Sequence, residues 1–142
     1  MLRRNVLSLT DNPRLDGRAV HPLRQAIEAR DLDAAVALFR EDVVFRSPVV
    51  FTPYRGRSAL RTILQAVVDV FDDFRYVREI GAADASDQAL VFEARVGDKQ
   101  IEGCDFLHVD GDGLISEFAV MVRPLSGALA LADAMKEQLA PS

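Results

Sequence analysis

The sequence predicts a single α+β domain in which helices come first, a curved, mixed or antiparallel sheet follows, and one helix closes the chain. Three observations carry this. Apolar residues recur at helical spacing up to Phe71, the period changes to two from Phe74 to Arg123, and helical spacing returns after Ser126. With 142 residues, 49% of them hydrophobic, the chain is long enough for one domain with a substantial core.

Residues 1–17 combine charges, a proline and scattered aliphatics without period, so they are expected to form a loosely ordered arm ahead of a domain over 18–142. Pro22 suits the first turn of a helix, where its missing N–H is no loss, and Val20, Leu23 and Ile27 fall on one side of it. Asp31 can cap a second helix with Leu32, Ala35, Val36 and Phe39 as its apolar stripe. Residues 43–47 read as a strand closed by Pro48, and 49–51 as another short strand before the loop 52–56. Ser58 is the expected cap of a third helix whose stripe is Leu60, Ile63, Leu64, Val67 and Phe71.

Strands follow at 75–80 and 89–96, and a turn at Gly97-Asp98 pairs Leu90 with Asp105, Phe92 with Gly103 and Ala94 with Ile101. A slip of one residue would bury Glu93 and Arg95, so the apolar pattern fixes this register. Residues 101–124 form a long hairpin around the turn Asp110-Gly111-Asp112-Gly113, with Val109 opposite Leu114, Leu107 opposite Ser116, and Asp105 opposite Phe118. Alternation puts Ile101, Gly103, Asp105, Leu107, Leu114, Phe118, Val120 and Val122 on one face. Glu102, Cys104, Phe106, His108, Ile115, Glu117, Ala119, Met121 and Arg123 take the other. Ser126 is the expected cap of the last helix, with Ala128, Leu131, Ala132, Met135 and Leu139 along one side.

Several functions are excluded on chemical grounds. A net charge of −5 with no basic block argues against a nucleic-acid surface. No apolar run approaches membrane-spanning length, and Arg3-Arg4 is followed by polar residues too soon for an export signal. One cysteine forms no internal disulfide, and the plain expectation is a soluble cytoplasmic protein. Cys104 and His108 share a face but lie about 13 Å apart along a strand, too far for a nucleophile–base pair. No metal-ligand spacing occurs, the Asp110–Gly113 cluster lacks the downstream acid of a calcium loop, and no cofactor is expected.

Asp105 is the sharpest signal, an acid in the middle of an apolar face. Burying a carboxylate without a partner costs several kcal/mol, so the group must be hydrogen-bonded, neutral or wet, with its pKa raised by its surroundings. Catalysis, ligand contact and a structural role all remain open to it. Leu23, Leu64, Leu90, Phe92, Gly103, Phe118, Val120 and Val122 are the expected apolar lining of a cavity, with Ser47, Thr52 and Tyr54 offering hydroxyls near its mouth. Arg57 reads as a surface or interface cation.

The order of Asp31-Leu32-Asp33-Ala34, Leu38-Phe39-Arg40-Glu41-Asp42-Val43, Tyr54-Arg55-Gly56-Arg57 and Gly111-Asp112-Gly113-Leu114-Ile115 resembles the SnoaL-like branch of the nuclear transport factor 2-like superfamily, from about His21 to the C-terminus. The resemblance implies a cone-shaped barrel, its bent sheet wrapped around helices, and a homodimer joined through the outer sheet face. It also makes Asp105 the counterpart of the oxyanion-hole acid of ketosteroid isomerase, a relative whose acid is a standard example of a carboxyl kept neutral. The isomerase set is incomplete. The base position reads Ser47 and the tyrosine position reads Leu23, and a serine hydroxyl does not take a proton from carbon unaided. Polyketide cyclases of the SnoaL type rely on a pocket aspartate as acid/base, and one acid in an apolar cup could in principle suffice for an aldol-type closure. Limonene epoxide hydrolase needs an arginine between two aspartates, and Arg95 here points away from Asp105. The expected function is a pocket for a small, mostly apolar molecule, with Asp105 as its central polar group. The alternatives are a cyclase, isomerase or hydrolase using Asp105 as acid/base, and a structural dimer without ligand.

Overall fold

A computed structural model describes residues 20–140, so the expected arm at 1–17 lies outside the described residues. Two short helices, α1 (Pro22–Glu28) and α2 (Leu32–Ala37), lead into β1 (Phe39–Arg46) and the two-residue β2 (Tyr54–Arg55). Then come α3 (Arg57–Val70), β3 (Asp72–Ile80), β4 (Asp87–Val96), β5 (Lys99–Val109), β6 (Ile115–Arg123) and α4 (Leu125–Leu139). The six strands form one mixed sheet in the order β2-β1-β6-β5-β4-β3, parallel only between β1 and β6. Among the described residues β2 and β3 remain edges, so the sheet wraps helices without closing through hydrogen bonds into a barrel.

Asp31 caps α2 by accepting from the Ala34 amide, as its position before an apolar stripe requires. Phe39, expected on that helix, instead begins β1, and the following alternation buries Phe39, Val43 and Phe45 on one face. Residues 49–51 are a loop rather than a strand, and the pairing falls to Tyr54–Arg55. Ser58 does not cap α3. The helix starts two residues earlier than a Ser58 cap would place it, because Gly56 at φ +95° turns the chain and the Arg57 guanidinium donates to the Phe39 carbonyl. That bond gives Arg57 a structural task in place of the expected surface role. Ser126 likewise lies inside α4, whose cap position is Pro124.

The β4–β5 register matches the sequence expectation, with Leu90 opposite Asp105 and Phe92 opposite Gly103. The β5–β6 hairpin differs. Asp105 faces Val120, not Phe118, and Leu107 faces Phe118, because the pairing shifts between His108 and Val109. A slip of two residues preserves which face each side chain occupies, so Phe118 and Val120 stay on the acid's side. Past the shift the parity reverses, and Ile115, expected outside, is 3% exposed and joins the core.

α3 and α4 pack against each other and against the sheet. Leu60, Ala35, Phe39, Val43 and Leu90 have no exposed surface. Each large side chain of this kind contributes about 1.5–3 kcal/mol by leaving water.

Candidate functional site

A cavity of about 500 Å³ lies among α1, α3, α4 and the concave side of the sheet. Its closed end is lined by buried Leu23, Leu64, Phe92, Phe118 and Asp105. Val49 and Val50 from the 47–53 loop, and Lys136 and Leu139 from α4, line it too and are exposed, which marks them as the mouth.

Asp105 sits in the middle of β5, 5% exposed, flanked by Leu90 on β4 and Val120 on β6. Tyr76 reaches it from β3, where its hydroxyl donates to Asp105 Oδ2 at 2.9 Å. Within the described residues this is the only hydrogen bond to the carboxyl, and Oδ1 has no protein partner. Burial pushes the Asp105 pKa up to about 7, while the Tyr76 hydrogen bond pulls it down. The same burial, with the carboxylate close by, drives the Tyr76 phenol well above its ordinary range. Tyr76 therefore stays protonated and donates, whatever the state of the acid.

Aromatic packing holds this donor in place. The rings of Phe74 and Phe92 stack at 4.9 Å, and Tyr76 stands edge-on to Phe74 at 4.9 Å and 89°. Phe92 in turn lies over Gly103, where any added Cβ would collide with the Phe92 ring.

Of the residues singled out from the sequence, Leu23, Ser47, Tyr54, Leu64, Phe92, Asp105, Phe118 and Val120 border the cavity. Four do not. Thr52 is exposed on the loop, Leu90 is sealed in the core, Gly103 is covered by Phe92, and Val122 packs at the core's margin. Ser47 faces the cavity with its oxygen already accepting from the Val49 and Val50 amides. Arg95 pairs with Asp73 at 2.9 Å and does not approach Asp105. On the outer face His108 bonds Asp87 at 2.7 Å, which raises its pKa, and Cys104 is a half-buried thiol raised by burial. Among the described residues no cluster of three metal-binding side chains exists.

Fifteen further residues line the cavity, and the two polar ones among them are Tyr76 and Lys136. For Tyr76 the alternation of Phe74 and Tyr76 is a partial signal, completed only by the pairing of Tyr76 with Phe92 on β4. Lys136 had none beyond its place on a helix whose other side is apolar. Chemically, the site offers a carboxyl that is half-ionised near neutrality, clamped on one oxygen and free on the other, under an apolar roof. Among the described residues it offers no second carboxylate.

The family model described as SnoaL-like domain matches residues 20–118. Among solved structures, a steroid delta-isomerase from Pseudomonas aeruginosa is 43% identical over 81% of this chain and 84% of that one, with a TM-score of 0.76. An uncharacterized bacterial protein with a cystatin-like fold from Silicibacter pomeroyi is 33% identical over 87% of this chain and 89% of that one, with a TM-score of 0.79. A putative SnoaL-like polyketide cyclase from Shewanella denitrificans shares the fold at 14% identity, covering 82% of this chain and 93% of that one, with a TM-score of 0.58. No curated protein matches the chain.

Proposed function

The chain belongs to the SnoaL-like domain family, and on that footing we propose that its cavity binds a small, mostly apolar molecule through one hydrogen-bond-accepting oxygen. The observation that carries this is the half-satisfied carboxyl of Asp105, buried at the closed end with Oδ2 held by Tyr76 and Oδ1 without a partner among the described residues. In its protonated form Asp105 donates from Oδ1 to a carbonyl or phenolate oxygen of the ligand, while Tyr76 continues to donate to Oδ2. A ligand oxygen then meets the second oxygen of the acid, and the ligand's apolar body fills the space lined by α3 and α4.

A second reading, an enzyme using Asp105 as acid/base, is favoured by its pKa of about 7, where a group both gives and takes protons readily. The steroid delta-isomerase relative is in keeping with a ring ketone as substrate. Proton abstraction from carbon in the isomerase manner lacks its base, since Ser47 stands at that position with its oxygen committed to the loop. A ring closure in which the substrate brings its own nucleophile needs only the one acid.

The test is calorimetric titration of an uncharged aromatic ketone, acetylnaphthalene, across pH. Below the Asp105 pKa of about 7 the affinity is expected to be flat, and above it to fall by up to about ten-fold per pH unit as the donor is lost. Asp105→Asn, which keeps a donor at every pH, removes that dependence. Wild-type affinity that stays flat through this interval sinks the reading. Turnover separates the two functions, because an enzyme loses it in Asp105→Asn whereas a binder keeps most of its affinity.

A further inference from the structure

We propose that the ligand is a lipophilic carboxylate, oriented with its anionic end at the mouth on Lys136 and its carbonyl oxygen at Asp105. The proposal rests on the reading of the cavity as a ligand site and adds to it the charge and direction of what enters.

Two charged side chains line the cavity among the described residues, and they stand at opposite ends of it. Asp105 is at the closed end, 5% exposed. Lys136 is in the last turn of α4, exposed at the mouth beside Met135 and Leu139. A lysine at such a place can lay its aliphatic stem on apolar surface and keep its ammonium in water. Within the described residues Lys136 makes no ion pair or hydrogen bond, although Asp133 lies one turn earlier on the same helix. By contrast Arg24, Arg46, Arg61, Arg75, Arg95 and Arg123 are each tied to an acid.

The two ends discriminate in opposite ways. A carboxylate driven to the closed end would meet a buried acid with no cation within hydrogen-bond reach, which adds like-charge repulsion to the loss of its hydration. A cationic ligand would meet Lys136 at the entrance. An anion that stops at the mouth avoids the first penalty and gains the one free cation of the described lining. In a chain of net charge −5, this local positive group is the part of the described lining that favours an anion. Selection therefore works through two repulsions as well as one attraction.

The experiment compares two acetylnaphthalene probes of equal length. One carries an alkyl tail, and in the other the tail's terminal methyl is replaced by a carboxylate. In the wild type the carboxylate probe is expected to bind at least as tightly as the alkyl probe, despite its smaller apolar surface. Lys136→Gln should lower the ratio of carboxylate to alkyl affinity by about five-fold, Lys136→Glu by about ten-fold or more, and Lys136→Arg should preserve it. Rising salt should lower the wild-type ratio and leave that of Lys136→Gln unchanged. An unchanged ratio in Lys136→Gln overturns the assignment of Lys136 while leaving the ligand site standing. Failure of both probes to bind the wild type overturns the site itself, and the proposal with it.

Discussion

Replacing Asp105 by asparagine should make the protein more stable at mildly alkaline pH and change little in acid. The folded pKa of about 7 lies above the ordinary 3.8 that the group regains on unfolding. Between those two values the native state holds a proton that the unfolded chain releases, so stability falls as pH rises through the interval and levels off above it. The interval from 3.8 to about 7 corresponds to roughly 4 kcal/mol lost on ionisation of the buried carboxyl. Asparagine has no such titration, is nearly the same size, and can accept the Tyr76 hydroxyl as the neutral acid does. Urea unfolding of both proteins at about pH 4, 6 and 8 reads the difference directly, and other carboxylates cancel in the comparison. The variant's advantage is expected to be near zero at the lowest pH and to approach roughly 4 kcal/mol at the highest. Tyr76→Phe, which removes the hydrogen bond favouring the ionised form, should push the upper end of the window higher. A difference between the wild type and Asp105→Asn that stays constant with pH, or shrinks as pH rises, would refute a buried acid of raised pKa.

Gly103→Ala should destabilise by about 1–3 kcal/mol and lower the melting temperature by several degrees, because its Cβ meets the ring of Phe92 and forces it off the cavity floor. An unchanged melting curve would mean that Phe92 is free to move aside. The homodimer expected from the resemblance would use the outer sheet face, where Phe106 is 43% and Met121 63% exposed. Met121→Glu should then shift sedimentation toward a monomer, and a wild type that sediments as a monomer at micromolar concentration removes the idea.

The sheet around the acid was legible because two local signals agreed there. The Gly97-Asp98 turn and the alternation of Leu90, Phe92 and Ala94 leave one register that keeps Glu93 and Arg95 off the apolar face, and the strands pair in that register. Elsewhere the deciding contact is remote in sequence. Phe39 fits a helical stripe as well as a strand, and only β6, far along the chain, recruits it into the sheet. The hairpin shift near Ser116 leaves no mark in an apolar pattern that reads equally well two residues over. Its parity effect, the inward turn of Ile115, was beyond reach for the same reason. Tyr76 is a comparable case, since irregularities on either side of it in β3 hide its alignment until β4 is placed beside it. Alternation puts Val122 on the acid's face and the loop puts Thr52 near the mouth, but neither says where a strand end or a loop leaves the cup.

The two margins of the sheet restrict how copies of this chain can meet. One margin is β2, only two residues long. The other, β3, is interrupted twice in its pairing and carries Asp72, Asp73, Arg75, Arg78 and Glu79 along its length. Such borders offer a neighbouring strand neither a continuous row of amides nor a neutral surface, which discourages runaway sheet extension. The homodimer expected from the resemblance would then rest on side-chain contacts across the outer face of the sheet, contacts that end once that face is covered.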